Sequence, residues 1–124
     1  KFEKKEGGIL MGVLSSSPLN MDACIEECLK CMRACEECLT ACLQEPDVQA
    51  RVKCIQTLHD CVEICSTAAH FMAGNSSHSA AVCSVCATIC EECAKHCEMF
   101  KDPHCQECAN ICRSCAEMCR KMSA

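Results

Sequence analysis

The sequence has almost no aromatic residues: Trp and Tyr are absent and only 3 Phe occur. It therefore lacks stacking platforms for nucleic-acid bases, and the net charge of -5 also disfavours a nucleic-acid partner. No run approaches the roughly 18 apolar residues of a membrane span, and no adjacent arginines form a twin-arginine export signal. We expect a cytoplasmic protein with no membrane partner. An exported form with a removed signal stays open, because residue 1 is Lys.

Cysteine is the residue that dominates instead, at 19 of 124 residues. This share exceeds the roughly 8–10% that marks a disulfide or metal scaffold. The number is odd, so at least one thiol cannot pair within the chain. The length suits one domain.

The chain divides into a tail and a helical region. Residues 1–17 are rich in Lys, Glu, Gly and Ser without a helical period, which predicts a flexible N-terminal tail. Residues 18–124 contain four helical segments, separated by breaks at 44–47, 74–77 and 101–103. Short connections join antiparallel neighbours, so we predict an all-α, antiparallel up-down-up-down four-helix bundle with a cysteine-lined core.

Local signals mark the ends of these segments. Pro18, Pro46 and Pro103 each stand where a first helical residue is expected. Asp102 is predicted to cap the last helix through its side chain, and Gly74 to end the second helix.

The cysteines of each segment recur in alternating steps of 3 and 4 residues. At about 100° per residue this spacing keeps them on one narrow stripe, the heptad a and d positions that face a bundle axis. The second segment keeps this seam but places Leu58, Ala68 and Met72 at three of its positions. The seam cysteines are Cys24, Cys28, Cys31, Cys35, Cys38, Cys42, Cys54, Cys61, Cys65, Cys83, Cys86, Cys90, Cys93, Cys97, Cys105, Cys108, Cys112, Cys115 and Cys119.

Neither packing nor disulfide bonding explains these seams well. Leu or Ala would hold a bundle together better than Cys and without redox risk. Disulfides along one helix would be strained, because i,i+3 and i,i+4 Cβ atoms lie about 5–6 Å apart. A disulfide needs about 3.8 Å. Metal binding by all 19 cysteines is the interpretation that remains.

Charge favours Cu(I) as the metal. Soft thiolates select Cu(I), zinc or iron–sulfur clusters, and each thiolate must lose its proton to bind. One Cu(I) per thiolate gives a neutral core, whereas zinc in a four-thiolate site leaves a charge of -2. We see no Lys or Arg on the seams to balance such charges. The prediction is a core that binds many Cu(I) ions per chain.

Antiparallel topology gives the bundle two different ends. One end, called the Met end below, gathers the seam positions Met21, Met72, Ser79 and Met122. Its three thioethers are either weak Cu(I) ligands or a hydrophobic plug.

The opposite end, called the His104 end below, gathers Cys42, Cys54, Cys97, Cys105 and His104. The helix dipole at the start of the last helix favours a thiolate at Cys105. His104 beside it is a candidate further ligand, and we predict that copper enters here. The remaining histidines are expected on the surface: His59, His70, His78 and His96.

These motifs resemble those of the bacterial copper storage proteins, over about residues 21–122. The resemblance is to the cytosolic branch, which is richer in cysteine than the exported branch. It is carried by CxxxCxxCxxxCxxCxxxC from Cys24 to Cys42, CxxCxxxCxxCxxxC from Cys83 to Cys97, and His104-Cys105-Gln106-Glu107-Cys108 leading on to Cys119.

The resemblance implies a four-helix bundle whose thiolate-lined tube stores Cu(I), assembled as a homotetramer. It also implies that metal enters at the end where His104 and Cys105 begin the last helix. Two alternatives stay open: a zinc or other soft-metal buffer of the metallothionein type, and a thiol/disulfide redox protein. A redox CxxC normally opens a helix after a strand, and no strand pattern or catalytic constellation occurs, so we expect no enzymatic activity.

Overall fold

The structure is a computed structural model that describes residues 21–124. The predicted tail of residues 1–17 and the predicted helix start at Pro18 lie outside the described residues. A 3-10 turn, Val48–Arg51, precedes the second helix. The four α-helices are α1 (Met21–Leu43), α2 (Val52–Ala73), α3 (Ser79–Cys97) and α4 (Pro103–Ser123).

The first and last helices run in opposite directions along the bundle. The Sγ atoms of Cys24 and Cys119 are 3.9 Å apart, so the start of α1 meets the end of α4. The Sγ atoms of Cys42 and Cys105 are 3.8 Å apart, so the end of α1 meets the start of α4. The prediction of an all-α four-helix fold with a cysteine-rich core is confirmed. Among the described helices, none combines the length and hydropathy that crossing a lipid bilayer requires.

The helix ends agree with the sequence signals in part. Pro103 begins α4 as predicted. The helix start predicted at Pro46 is wrong, because the chain first makes the 3-10 turn Val48–Arg51 and α2 begins only at Val52. The backbone oxygen of Asp47 accepts a hydrogen bond from the amide of Ala50 at 2.9 Å, which sets this turn.

The end of α2 is a Schellman motif at the Met end. Gly74 ends the helix as predicted, but at a φ of -82° it does not adopt the left-handed conformation. Asn75 adopts it instead, at a φ of 53°. The amide of Asn75 donates to the carbonyl of Met72, and that of Ser76 to the carbonyl of Phe71, both at 3.0 Å. These bonds supply donors to carbonyl groups that the helix end would otherwise leave without a partner.

Small residues flank the cysteine seams of α3 and α4. Ala87 and Ala94 on α3, and Ala109 and Ala116 on α4, are buried at heptad spacing. These two helices share the most extensive contact in the bundle. Because the distance between packed helices depends on the side chains at their contact, alanine here brings the two seams close together.

Candidate metal centre

All 19 cysteines are buried within the bundle as free thiols, and none is more than 2% exposed. Together they form what is called the thiol core below. Leu58, Ala68 and Met72 fill the remaining seam positions of α2 and are buried as well. The heptad register thus places every predicted ligand sulfur on the bundle axis, because an i,i+3,i+4 stripe is the face that an amphipathic helix buries.

The sulfur atoms of the thiol core form a continuous lattice. Neighbouring Sγ atoms are 3.6 Å apart for Cys61 and Cys90, and 3.9 Å apart for Cys31 and Cys35. These distances are far longer than the roughly 2.04 Å of a disulfide. With metal–sulfur bonds of about 2.3 Å, they correspond to a sulfur–metal–sulfur angle of about 110°. Because this angle is close to tetrahedral, the lattice must expand by roughly 0.1–0.4 Å to take bridging metal ions at trigonal sites and by about 0.7–1 Å to take linear ones.

Several groups of donor atoms lie close enough to share one ion. In each group the ligand atoms are within 4.8 Å of one another. Cys31 and Cys115 each belong to two groups, so ions in adjacent groups would share sulfurs. Five of these groups are Cys28, Cys86, Cys115 and Cys119; Cys31, Cys65, Cys90 and Cys115; Cys31, Cys35, Cys61 and Cys112; Cys38, Cys42, His104 and Cys105; and Cys24, Cys83 and Cys119.

Burial keeps the Cys105 thiol protonated at neutral pH. Desolvation, together with the charge of nearby Cys42, raises the pKa of Cys105 to about 12. The expectation that the helix dipole makes Cys105 a thiolate is therefore wrong, because burial outweighs the dipole at this position. Metal binding at such a thiol must release a proton.

His104 lies beside the thiols at the His104 end, where its sequence position predicts it. Its Nδ1 atom is 3.5 Å from the Sγ atoms of both Cys38 and Cys105. Its Nε2 atom is 3.2 Å from Oε2 of Glu45, a residue that the sequence analysis missed. A carboxylate on Nε2 fixes the ring orientation and leaves Nδ1 toward the sulfurs, the usual support of a metal-binding histidine. At 27% exposed, the His104 side chain links the thiol core to solvent.

Arg51 is a second residue that the sequence analysis missed. Its side chain is 5% exposed, and its Nη1 atom donates to Sγ of Cys42 at 3.7 Å and to Sγ of Cys105 at 3.5 Å. The expectation that no Lys or Arg lies on a seam is therefore wrong. A signal was available, because continuing the α2 seam by one step of three residues before Cys54 reaches Arg51.

Ion pairs hold Arg51 over the end of the thiol core. Its guanidinium contacts the carboxylates of Asp47 at 2.7 Å and Asp102 at 2.6 Å, and its Cζ lies 4.4 Å from the centroid of the Phe100 ring. The Asp47 carboxylate, followed by the Asp102 carboxylate, raises the pKa of Arg51, and Arg51 lowers the pKa of Asp102. Asp102 stands at the N-cap of α4, but its side chain makes no capping bond because it binds Arg51.

The other histidines lie away from the seams. His59, His70 and His78 are exposed and His96 is half-buried, as the sequence predicts. Phe71 and Phe100, near opposite ends of the bundle, are both half-buried.

A four-helix bundle whose core is filled with free thiols defines a class of protein that binds many soft metal ions per chain. The sequence model of the copper storage protein (Csp) family matches residues 17–124. The chain belongs to the copper storage protein family. A comparison with curated protein sequences finds no match.

Solved structures of two relatives share this fold. Apo copper storage protein 3 from Bacillus subtilis is 42% identical, with 83% of this chain and 98% of that chain covered and a TM-score of 0.79. A Cu(I)-bound structure, named BsCsp3, is also 42% identical, with 83% and 97% covered and a TM-score of 0.80.

The second relative comes from Streptomyces lividans. A cytosolic copper storage protein carrying five coppers is 39% identical, with 81% of this chain and 88% of that chain covered and a TM-score of 0.78. The copper storage protein Ccsp loaded with 10 copper equivalents is 35% identical, with 89% and 92% covered and a TM-score of 0.82.

Proposed function

We propose that this protein stores many Cu(I) ions in its thiol core, and that storage rather than catalysis is its function. The observation that carries the proposal is a core of 19 buried free thiols in which most Sγ atoms have another Sγ atom 3.6–3.9 Å away. Its relatives include a Cu(I)-bound protein and one loaded with 10 copper equivalents, which supports the choice of metal.

The charge of the core favours Cu(I) over zinc. In four of the five donor groups described above, every donor is a cysteine thiol. Thiolates there would need one monovalent cation each to stay neutral, which Cu(I) supplies and zinc in four-thiolate sites does not. Arg51 contacts two thiols at the His104 end, but its charge is already paired with Asp47 and Asp102 and so does not balance thiolates.

A redox function fits the geometry less well. Closing a disulfide anywhere in the lattice would move two sulfurs together by more than about 1.5 Å in a core that is closely packed. Several sulfurs at the centre of the core, among them Cys31 and Cys65, also have more than one sulfur neighbour, which is unlike the single pair of a typical exchange site. We infer that the thiols act as ligands.

We propose the 19 cysteines of the thiol core and His104 as the ligands. The thiols would bridge ions along the axis, and His104 would complete the group formed with Cys38, Cys42 and Cys105 at the entrance for copper. Glu45 would orient the His104 ring through Nε2.

An anaerobic titration with Cu(I) against a competing chromophoric chelator tests storage. We expect binding of more than about ten Cu(I) per chain, since each bridging ion needs two or three sulfurs that it shares with its neighbours. Zinc added under the same conditions should bind in smaller number and be displaced by Cu(I). Saturation at one or two Cu(I) per chain would refute storage.

A matched pair of variants locates the ions. Replacing Cys31, Cys35, Cys61 and Cys112 by Ala removes one donor group near the middle of the core, whereas replacing the exposed residues Thr40, Ser66, Asn110 and Ser114 by Ala leaves every thiol in place. We expect a capacity reduced by several Cu(I) in the first variant and unchanged in the second. Equal capacities would argue against a role for these four thiols.

We propose that residues 18–124 form the metal-binding domain and residues 1–17 a tail, in line with the family match over residues 17–124. A chain that begins at residue 18 should bind as much Cu(I) as the full chain. We further propose a cytosolic location, as in the Streptomyces lividans relative, and a homotetramer. Cell fractionation and light scattering of the purified protein test these two proposals.

A further inference from the structure

The Met end contains a cavity next to the last thiols of the core. Its volume is about 170 Å³, and three thioether side chains line it: Met21, Met72 and Met122. Serine side chains at the start of α3 complete the lining, among them Ser79. A cavity of this size is large enough for a hydrated ion or several water molecules.

Met72 connects this cavity to the thiol core. Its side chain is 2% exposed, and its Sδ atom lies 3.6 Å from Sγ of Cys83. The sulfur of Cys83 in turn lies within 4.8 Å of the sulfurs of Cys24 and Cys119. A thioether thus stands at the end of the sulfur lattice, at the spacing that separates the thiols from each other.

Charge explains why a thioether suits this end. A thioether is a soft ligand that binds without losing a proton and adds no negative charge. Arg51 donates hydrogen bonds to the sulfurs of Cys42 and Cys105 at the His104 end, whereas the described residues that line the cavity at the Met end include no Lys or Arg. A neutral ligand is therefore the one that can extend the lattice here without burying an uncompensated charge.

We propose that Met72 and Cys83 bind Cu(I) at the Met end, in a mixed thioether and thiolate site that opens on the cavity; the inference rests on the proposed storage function. Cu(I) forms a bond to the Cys83 sulfur as the thiol proton leaves to solvent, and the Met72 sulfur donates a lone pair without losing an atom. Met21 and Met122 line the same cavity as Met72. The Met end is then a metal site rather than a hydrophobic plug.

NMR of the full chain labelled with [13C-methyl]methionine tests the site during an anaerobic Cu(I) titration. We expect the Met72 methyl signal to shift as copper is added, because the bonded sulfur carries that methyl group. Met32 and Met118 serve as internal controls, since both pack against the outside of the core, and Met99 reports solvent exposure. The Met72→Leu variant assigns the signal, and the similar volumes of Met and Leu keep the fold.

A matched pair of variants, Met72→Leu and Met118→Leu, tests the ligand role through retention of copper. Protons compete for Cys83 but not for Met72, so this site should lose copper less steeply as the pH falls than sites formed by thiolates alone. At pH 5, against a competing chelator, we expect Met72→Leu to retain about one Cu(I) per chain fewer than wild type, because one site is lost. Met118→Leu should match wild type.

The outcomes separate the two proposals. Many Cu(I) bound with a Met72 methyl that moves no more than that of Met118, or with equal retention by both variants, overturns the thioether site and leaves storage standing. Saturation at one or two Cu(I) overturns storage, whatever the methyl signals do. A shifted Met72 methyl with reduced retention in Met72→Leu supports both.

Discussion

The two ends of the bundle close the same sulfur lattice with opposite chemistry. The His104 end is ionic: Arg51 lies buried against Cys42 and Cys105, and His104 pairs with Glu45. The Met end is neutral, with thioethers and serines around a cavity. Each arrangement solves the same problem, which is how to end a row of thiolates in a dry core. One end adds hydrogen bonds from an arginine that two carboxylates hold in place, and the other adds ligands that carry no charge.

The backbone differs between the ends in the same way. At the His104 end, Arg51 ties the α1–α2 connection at Asp47 to the α3–α4 connection at Asp102 through side-chain ion pairs. At the Met end, the α2–α3 connection is fixed by main-chain bonds and by the left-handed Asn75. The stability of the His104 end should therefore depend on salt and pH, and that of the Met end should not.

The largest effect is expected from Arg51→Met. Loss of the guanidinium leaves Asp102 half-buried without its cation and removes the link between two connections, so we expect a destabilisation of about 1–3 kcal/mol. Urea unfolding of the metal-free protein, followed by circular dichroism, measures it. Arg33→Met is the matched control, since the Arg33–Glu37 pair is exposed and worth under about 0.5 kcal/mol. Equal losses in both variants would contradict a structural role for Arg51.

The sequence predicts the thiol core well because burial follows the heptad. Cys54, Leu58 and Met72 are buried inside the bundle. Their burial can be predicted from two facts alone: they recur in steps of 3 and 4 residues, and such a narrow stripe of a helix faces the bundle axis. The grouping of the methionines at one end followed from short connections and helix direction alone.

The chemistry around Arg51 was not predictable in the same way. The spacing of the α2 seam places position 51 on the face that is buried. Whether an arginine at this position turns inward, however, depends on carboxylates from two separate connections, Asp47 and Asp102. The same competition decides whether Asp102 caps α4 or binds Arg51. The start of α2 was predicted wrongly at Pro46 for a related reason. Proline is compatible with the first turn of a helix, but here the 3-10 turn that positions Arg51 comes first, and α2 begins only at Val52.

Asn75→Val tests the neutral end. A β-branched residue is strained at a φ of 53°, so we expect a loss of about 1–2 kcal/mol. Asn75→Gly, which accepts this conformation, should stay within about 0.5 kcal/mol of wild type. Repeating both measurements in 1 M NaCl should leave the difference unchanged, whereas the effect of Arg51→Met should shrink. If the destabilisation by Asn75→Val changed with salt, the claim that only the His104 end depends on ionic interactions would be wrong.

His104→Ala tests where copper enters. His104 is the partly exposed member of its donor group, so its loss should slow the first phase of Cu(I) uptake several-fold while the final capacity falls little. Stopped-flow transfer of Cu(I) from a chromophoric complex measures the rate. His59→Ala, an exposed histidine on α2, is the control and should leave uptake unchanged. If His104→Ala takes up Cu(I) as fast as wild type, copper does not enter through His104, and the Met end becomes the candidate entrance.

Asp102→Asn should have the smallest effect, because solvent screens this carboxylate more than it screens Arg51. Arg51 lowers the pKa of Asp102 below its ordinary value of 3.8. A carboxylate with a lowered folded-state pKa stabilises the protein above the unfolded-state pKa, and this contribution disappears as the pH falls through the folded-state pKa. Wild type should therefore be more stable than Asp102→Asn at pH 6, and the two should converge as the pH falls below the lowered pKa of Asp102. Urea unfolding across this range measures the difference, with Glu36→Gln as the control for removing one exposed charge on α1. A gap that persists at low pH would show that Asp102 stabilises α4 by some means other than its charge, and the ionic account of the His104 end would then rest on Asp47 alone.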